Sequence, residues 1–360
     1  MANKSVFFTG AVILLALISA LAFYRSVAHG AAKARLPSPR LVEAYRRWCA
    51  KYRKLYATPA ELSYRLTVFD GNDKYVAESN QVYDQYLLEH NEPKVSSPMF
   101  AINEFADLSE VEFAKMYTGL KAPEKETMEL SAVDEEAATA PEQKVKLSEG
   151  LGQGYQTRVR FQGTCGSCWA FTVVAVLEKF AWNTRKQQID LSQQHLVDCD
   201  RGSNGCQGGF PNSGINFVRA NDISQASSYP YRGARGGCNM GLPKVGLRGK
   251  VGANQLHAVV SGFNFNFDKR ALSAGHYLGA SLVGSGRLRF ASKNNDIFNA
   301  AATGECGMMS NHAVTLVGGG ANYVTILNSW GTGWGQGGFK HIMPCSQNIL
   351  LGSMSYTYAA

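Results

Sequence analysis

The sequence predicts an α+β protein that is preceded by a helical segment. Helical patterns dominate from Trp169 to Ala220, whereas β-branched runs that end in glycine turns become more frequent from Val259 onward. A separate helical pattern lies closer to the amino terminus, from Leu41 to Asn80. The final ~215 residues of the chain are enough for two half-domains around a shared interface.

The chain opens with an apolar stretch. Lys4 precedes a run from Val6 to Phe23, and Arg25 closes it. A positive charge followed by such a run is typical of a secretory signal peptide, which we predict over residues 1–30. The run is also long enough for an uncleaved signal anchor, so that alternative stays open.

Two helices are predicted after this stretch. The first extends from Leu41 to Tyr56 and the second from Glu61 to Asn80, and Thr58-Pro59 separates them. In the second helix, six residues recur every three or four positions and therefore share one face. These residues are Glu61, Arg65, Phe69, Asn72, Val76 and Asn80. An ordinary amphipathic helix has the same spacing, so the pattern alone assigns no function.

Cys168 has the most informative surroundings in the chain. It lies where a loop of small residues meets a helical pattern that runs from Trp169 to Lys179. The amino-terminal end of a helix favours a thiolate over a thiol, and the thiolate is the nucleophile. Because Cys165 and Cys168 also form a CxxC pattern, three chemistries are open: nucleophilic catalysis, thiol–disulfide exchange and metal binding.

His312 and Asn328 supply what a nucleophilic cysteine needs. His312 opens one β-branched run, and Asn328 directly follows a second one. Adjacent strands would place the imidazole beside the amide, which could then fix the tautomer of the ring while Trp330 covers the pair. Taken singly, each residue has an ordinary structural explanation, but those explanations leave the order Gln, Cys, His, Asn unexplained.

This order resembles the papain family of cysteine proteases. The matching motifs are Gln-x-x-Cys-Gly-Ser-Cys-Trp-Ala-Phe from Gln162, His-Ala-Val from His312, and Asn-Ser-Trp-Gly from Asn328. Further matches lie at Leu191–Asp200, Gly205–Gly209 and Tyr229-Pro230-Tyr231. The resemblance implies a papain-like fold over residues 145–360, with a helical left half and an antiparallel β-barrel as the right half.

The resemblance also implies a role for each matched side chain. Cys168 is the nucleophile, His312 is the general acid and base, and Asn328 orients the imidazole. Gln162 donates its side-chain amide to an oxyanion hole, together with the backbone N–H of Cys168. Trp330 shields the His–Asn hydrogen bond from water.

Other matched positions would contact the substrate. Gly208 and Gly209 present bare backbone with which an extended peptide can pair, and Trp334 flanks the leaving-group side. The residues expected in the pocket for the second substrate residue are Phe210, Pro211, Ala313 and Ser281, which favours an apolar or aromatic side chain. No histidine-bearing loop of the kind that makes cathepsin B a dipeptidase is found near Cys206, so we predict an endopeptidase.

The chain has eight cysteines. Apart from Cys168, and from Cys49 in an upstream helix, six remain, and sequence alone selects none of their possible pairings. The resemblance implies the bonds Cys165–Cys206, Cys199–Cys238 and Cys306–Cys345. A bond from Cys165 to Cys206 would leave an oxidoreductase without its resolving thiol. Disulfides also require an oxidising compartment.

The upstream segment resembles the propeptides of cathepsin L-like zymogens. The six-residue helix face matches their "ERFNIN" signature, with Val76 in place of Ile. Asn103, Phe105 and Asp107 match their G-x-N-x-F-x-D element, in which Ala101 replaces Gly. A short helix from Glu110 to Tyr117 is expected after this element.

These matches predict how the precursor is divided. We expect an inhibitory propeptide over residues 31–120, which runs through the cleft in the direction opposite to substrate. A cleavable linker rich in Ala, Glu and Pro follows at 121–144. The Asp-Trp-Arg-like element that typically opens the mature enzyme is missing before Gln153, so the start of the mature chain is undetermined.

Charge and context narrow the remaining functions. The net charge is +8, but the basic residues are scattered from Arg158 to Lys340 without a basic run, which argues against nucleic acid. We expect a monomer that acts on protein or peptide substrates without a cofactor or metal, in an acidic lysosome-like vesicle or outside the cell. The alternatives are a catalytically silent binding or inhibitory protein and a thiol–disulfide oxidoreductase.

Overall fold

A computed structural model describes most of the chain. The described residues are 37–93, 98–121, 155, 157–251, 257–259, 272, 275–306, 309–344 and 354–356. They fall into two compact units, of which the first contains residues 37–77 and 104–109 and the second contains the rest. The predicted signal peptide and nearly all of the predicted linker lie outside the described residues. Within the described ranges, no helix has the length and apolarity to cross a membrane.

Two helices begin in the first unit. Helix α1 covers Pro39–Tyr52, and helix α2 covers Pro59–Glu89 and continues into the second unit. The prediction that the first helix reaches Tyr56 is wrong, because Arg53 adopts a left-handed conformation (φ 53°) that ends α1. Thr58 starts α2 by accepting a hydrogen bond from the Glu61 N–H at 3.1 Å.

Buried polar contacts join α2 to the segment 104–109. The Asn72 amide donates to the carbonyl oxygens of Ala106 and Leu108, both at 2.9 Å. Within that segment, the Asp107 carboxylate accepts from Lys54 at 2.9 Å and from Tyr56 at 2.8 Å. These contacts bring two motifs that are distant in sequence into one unit.

The left half of the second unit is helical. It contains α4 (Cys168–Arg185), α5 (Gln193–Cys199) and α6 (Pro211–Asn221), whereas the upstream helix α3 (Glu110–Tyr117) packs its Phe113 on Trp330. Every residue of α4 from 168 to 181 is buried, so this helix forms the centre of the core. Its Glu178 carboxylate accepts from Arg160 at 2.7 Å and from the Leu191 N–H at 2.8 Å. The ion pair between Arg160 and Glu178 therefore connects the start of the left half to its central helix, α4.

The right half contains a mostly antiparallel sheet. Its strands are β2 (Leu278–Leu282), β3 (Phe298–Asn299), β4 (His312–Gly319), β5 (Val324–Leu327) and β6 (Phe339–Met343), in the order β2-β4-β5-β6-β3. Strand β3 pairs with β6 in parallel, and the other pairs are antiparallel. Strands β1 (His257–Val259) and β7 (Met354–Tyr356) form a separate pair. The α+β prediction is confirmed; among the described strands the sheet stays open, which is compatible with a barrel.

The upstream residues of the second unit are anchored on this right half. The Tyr83 hydroxyl donates to the Ile297 carbonyl at 3.1 Å and accepts from the Asn299 N–H at 2.8 Å. The Asn103 amide donates to the Arg289 carbonyl at 2.7 Å. The loop that leads into β3 is therefore covered by residues that lie more than 180 positions upstream.

The buried carboxylate of Glu178 provides a test of this packing. Glu178→Gln should destabilise α4 by ~2 kcal/mol or more, because the buried carboxylate loses its charge-assisted hydrogen bonds to the half-buried Arg160. The matched control is Glu43→Gln, whose exposed pair with Arg46 should contribute ~0–1 kcal/mol. Native-state hydrogen exchange of the amides in each helix measures both effects. Equal protection losses in the two helices would contradict the prediction.

Candidate active site

His312 and Asn328 meet at one end of the sheet. His312 opens β4 and Asn328 follows β5, and these strands pair antiparallel. The His312 Nε2 lies 2.8 Å from the Asn328 Oδ1. That oxygen also accepts from the Ser329 N–H at 2.8 Å, which fixes the orientation of the amide. Because an amide oxygen only accepts, the proton of the neutral ring is on Nε2 and Nδ1 carries a free lone pair.

Trp330 covers this pair. Its ring stacks on the His312 imidazole with centroids 4.5 Å apart and planes inclined by 25°. Trp330 and His312 are both fully buried. Within the described part of the chain, the Nδ1 of His312 has no hydrogen-bond partner. The ring is therefore fixed through Nε2, while Nδ1 is left available for proton transfer.

Cys168 is the first residue of α4 and is also fully buried. The Ala313 N–H points to its Sγ at 3.4 Å, which places the thiol beside the start of β4. Burial raises the pKa of the Cys168 thiol to about 12, and burial lowers the pKa of the His312 imidazole to about 4. Burial therefore favours the neutral forms of both the thiol and the imidazole.

The chain's own segment 118–121 lies in the cleft. The N–H groups of Gly119 and Leu120 both donate to the Asn311 carbonyl, at 3.1 and 3.0 Å. On the other side, the Lys121 N–H donates to the Gly209 carbonyl at 3.1 Å, and the Gly209 N–H donates to the Gly119 carbonyl at 2.9 Å. The bare backbone of Gly209 thus pairs with an extended peptide, here in a parallel register.

Glycines allow this close approach. A Cβ on Gly119 would lie 2.1 Å from the backbone oxygen of Gly166, and a Cβ on Gly208 would lie 2.6 Å from the backbone oxygen of Gly119. Gly208 also has a φ of +108°, which other residues rarely adopt. No side chain could be added at either position without moving backbone.

Gln162 is held at four points. Its backbone N–H donates to the Ser329 carbonyl at 2.8 Å, and its backbone carbonyl accepts from the Tyr231 hydroxyl at 2.7 Å. In the side chain, Oε1 accepts from the Ser329 hydroxyl at 2.5 Å, and Nε2 donates to the Cys165 carbonyl at 2.8 Å. One N–H of the carboxamide therefore remains free to donate to a further acceptor.

The residues predicted for the second-residue pocket lie on several elements. Ala313 lines a small cavity whose walls include neither Phe210 nor Pro211. Pro211 starts α6, and Ser281 pairs with Ala313 across β2 and β4. Trp334 is fully buried and donates from its indole to the Leu288 carbonyl at 3.1 Å. The pocket assignment therefore stays a prediction.

The disulfides distinguish nucleophilic catalysis from thiol–disulfide exchange at Cys168. Cys165 is bonded to Cys206 and Cys199 to Cys238, while Cys49 and Cys168 are free thiols. With Cys165 in a disulfide, Cys168 has no resolving thiol, which removes the thiol–disulfide oxidoreductase. Cys306 is disulfide-bonded as well, but Cys345 lies outside the described residues. Within the described ranges, no three His, Cys, Asp or Glu side chains are grouped to hold a metal.

Several residues of the site are not predicted from the sequence. Asn311 acts through its backbone carbonyl, which leaves no trace in a side-chain pattern. Ser329 and Tyr231 contact Gln162, and their only signal is that they lie within or beside matched motifs. Gly119 carries no signal beyond its place at the end of the upstream segment.

Comparisons with known proteins agree with this geometry. Residues 148–357 match the family model "Papain family cysteine protease", and residues 45–113 match "Cathepsin propeptide inhibitor domain (I29)". Caricain from Carica papaya is 34% identical over 307 residues, which cover 82% of this chain and 80% of caricain.

Solved structures show the same likeness. The proform of the ragweed pollen allergen Amb a 11, a cysteine protease, is 27% identical with a TM-score of 0.69, covering 89% of this chain and 93% of that one. A cysteine protease of Carica candamarcensis, solved in complex with E-64, is 34% identical with a TM-score of 0.50. That likeness covers 58% of this chain and 96% of the other.

The buried thiol provides a test of the site. Because burial raises its pKa to about 12, the Cys168 thiol should be almost entirely protonated at pH 7, and alkylation by iodoacetamide should be very slow. Cleavage of the chain after Lys121, with release of the upstream part, should accelerate alkylation at Cys168 at least ~100-fold. Peptide mapping by mass spectrometry measures the rate at this residue. An intact chain that is alkylated at Cys168 as fast as the unfolded chain would contradict the assigned burial.

Proposed function

Because the chain belongs to the papain family of cysteine proteases, we propose that Cys168, His312, Asn328 and Gln162 carry out its hydrolysis of peptide bonds. The protein is a cysteine protease made as a proform with an inhibitory propeptide. The observation that carries the residue assignment is the 2.8 Å contact between His312 Nε2 and Asn328 Oδ1, beside the buried Cys168.

The first chemical step is formation of the nucleophile. When water enters the cleft, the thiol proton of Cys168 passes to the free Nδ1 of His312, and the imidazolium keeps its Nε2–H on the Asn328 oxygen. The position of Cys168 at the amino-terminal end of α4 also stabilises the negative sulfur. Loss of burial thus moves both pKa values toward the thiolate–imidazolium pair.

Acylation follows from this pair. The thiolate attacks the scissile carbonyl carbon, and the resulting oxyanion accepts hydrogen bonds from the Cys168 N–H and the free N–H of the Gln162 amide. His312 then donates its Nδ1 proton to the departing amine, which leaves a thioester on Cys168. In the second half-reaction, His312 takes a proton from water while the water oxygen bonds to the acyl carbon. The C–S bond then breaks, which releases the acid and restores the thiolate–imidazolium pair.

The substrate is proposed to pair with Gly209 in the opposite direction to the propeptide. In the proform, Leu120 pairs with Gly209 in parallel, and Asn311 accepts from two successive N–H groups. A substrate of opposite direction would use the same backbone groups but would present its scissile carbonyl to Cys168. The reversed direction explains why segment 118–121 occupies the cleft and is not cleaved there.

Finer features of the enzyme are part of the same proposal. We place it as an endopeptidase of the cathepsin L-like subtype, with a mature domain over residues 145–360, acting as a monomer. Pocket residues Phe210, Pro211 and Ala313 would favour an apolar second substrate residue. Papain-family proteases with propeptides are typically enzymes of the secretory pathway, and two disulfides fit an oxidising compartment. We propose an acidic vesicle or the extracellular space as the place of action.

The residue assignment is tested by activating the proform. Incubation at mildly acidic pH should release the propeptide and produce thiol-dependent peptidase activity, and the epoxysuccinyl inhibitor E-64 should label Cys168. Cys168→Ser should abolish activity and labelling. The control Cys49→Ser alters the other free thiol, lies in the propeptide and should preserve both. Labelling that persists in Cys168→Ser, or activity lost in Cys49→Ser alone, would overturn the assignment.

The inhibitory contact is tested at Gly119. Gly119→Ala places a methyl group 2.1 Å from the Gly166 backbone oxygen, so segment 118–121 cannot stay in the cleft. The unprocessed variant should show at least ~10-fold more peptidase activity than the unprocessed wild type. The matched control is Gly71→Ala, whose Cβ meets nothing within 4 Å and whose helix should gain up to ~1 kcal/mol. Equal latency of the two variants would contradict the proposed contact.

A further inference from the structure

The two oxyanion donors lie at opposite ends of one short loop. Gln162 opens the loop 162–168, and the backbone N–H of Cys168 closes it. The distance between the donors therefore depends on how firmly both ends of the loop are held. The Cys165–Cys206 disulfide holds the middle, and one residue outside the loop, Tyr231, contacts both ends.

The Tyr231 hydroxyl bridges these ends by two short hydrogen bonds. It donates to the Gln162 carbonyl at 2.7 Å and lies 2.7 Å from the hydroxyl of Ser167. A tyrosine hydroxyl has one proton, and that proton is used on Gln162, so Ser167 is the donor in the second bond. Tyr231 thus connects the residue that carries one oxyanion donor to the residue directly before the other.

The hydroxyl of Ser167 bonds to Tyr231 and does not cap α4. A serine that precedes a helix usually caps it with its side chain, but the hydroxyl of Ser167 makes no such bond to α4. Its contact with the Cys165 carbonyl, at 3.4 Å, is longer than the contact with Tyr231. Ser167 therefore stabilises the loop through Tyr231 rather than the helix through its first turn.

Tyr231 is itself held in place from several sides. Its ring packs edge-to-face on Phe171 in α4, with centroids 5.0 Å apart. The next residue, Arg232, donates its N–H to the Gln194 side chain at 2.8 Å. Two residues earlier, the Tyr229 hydroxyl donates to the buried Asp198 carboxylate at 2.8 Å. These contacts fix the position of the Tyr231 hydroxyl, so its hydrogen bonds can hold the loop 162–168 in place.

We propose that Tyr231 is a positioning residue for the oxyanion hole: its hydroxyl sets the spacing between the Gln162 amide and the Cys168 N–H. The proposal rests on the proposed function of those two donors. Tyr231 does not touch the substrate; it acts through the loop. Its loss should therefore weaken stabilisation of the oxyanion and leave the thiolate nucleophile unchanged.

The test is Tyr231→Phe in the processed enzyme. We expect kcat to fall about tenfold with KM unchanged, since one oxyanion donor is displaced rather than removed. A peptide aldehyde, whose adduct carries an oxyanion, should bind about tenfold more weakly. Alkylation of Cys168 by iodoacetamide should keep its rate, because displacement at an alkyl carbon forms no oxyanion.

Two further variants keep the result interpretable. Tyr277→Phe removes a buried tyrosine hydroxyl that contacts Thr157 rather than the loop, and it should leave kcat unchanged. Ser167→Ala cuts the other half of the bridge and should reproduce the loss in kcat. In the background of Gln162→Ala, Tyr231→Phe should cost less than it does alone.

The outcomes separate the two proposals. A wild-type enzyme without activity, or Gln162→Ala with full activity, would mean that the proposed function of these residues has failed. An active wild type in which Tyr231→Phe keeps its kcat, or loses kcat and alkylation rate equally, would overturn the role of Tyr231 alone. A loss as large in Tyr277→Phe as in Tyr231→Phe would also overturn it.

Discussion

Close contact between backbones at glycine positions keeps this protease in its inhibited proform. Gly119 packs against Gly166, and its carbonyl accepts from the N–H of Gly209, so the upstream segment lies directly on the cleft without intervening side chains. Cys168 and His312 are both fully buried, and this burial favours their neutral forms. We infer that inhibition works through desolvation and requires no change in the arrangement of His312 and Asn328.

The same backbone groups serve inhibition and, in our proposal, catalysis. Gly209 and the Asn311 carbonyl pair with the propeptide and would pair with substrate, so the direction of the peptide distinguishes the two. Regular elements position the parts of the site, since Cys168 begins α4 and His312 begins β4. The loop from Gln162 has no regular structure, and hydrogen bonds from Ser329 and Tyr231 hold it instead.

The fold class and the His–Asn pair are predictable from the sequence, whereas the details that depend on three-dimensional contact are not. The motif around Cys168 and the strand patterns at His312 and Asn328 are formed by residues that are neighbours in the sequence. Such patterns can be recognised without knowledge of the fold. The end of α1 was misplaced because a left-handed Arg53 has no compositional mark. Asn311 acts through its backbone, and Tyr231 contacts a loop 69 residues away, so neither contact was predictable.

The protonation state of His312 tests the central claim most directly. The measurement is a pH titration of the His312 ring by NMR, in the proform and again after removal of the propeptide. In the proform the ring should stay neutral, with its proton on Nε2, until the pH approaches 4. In the processed enzyme an imidazolium should persist at mildly acidic pH. A ring that titrates identically in both forms would contradict the claim that burial under segment 118–121 holds the site inactive.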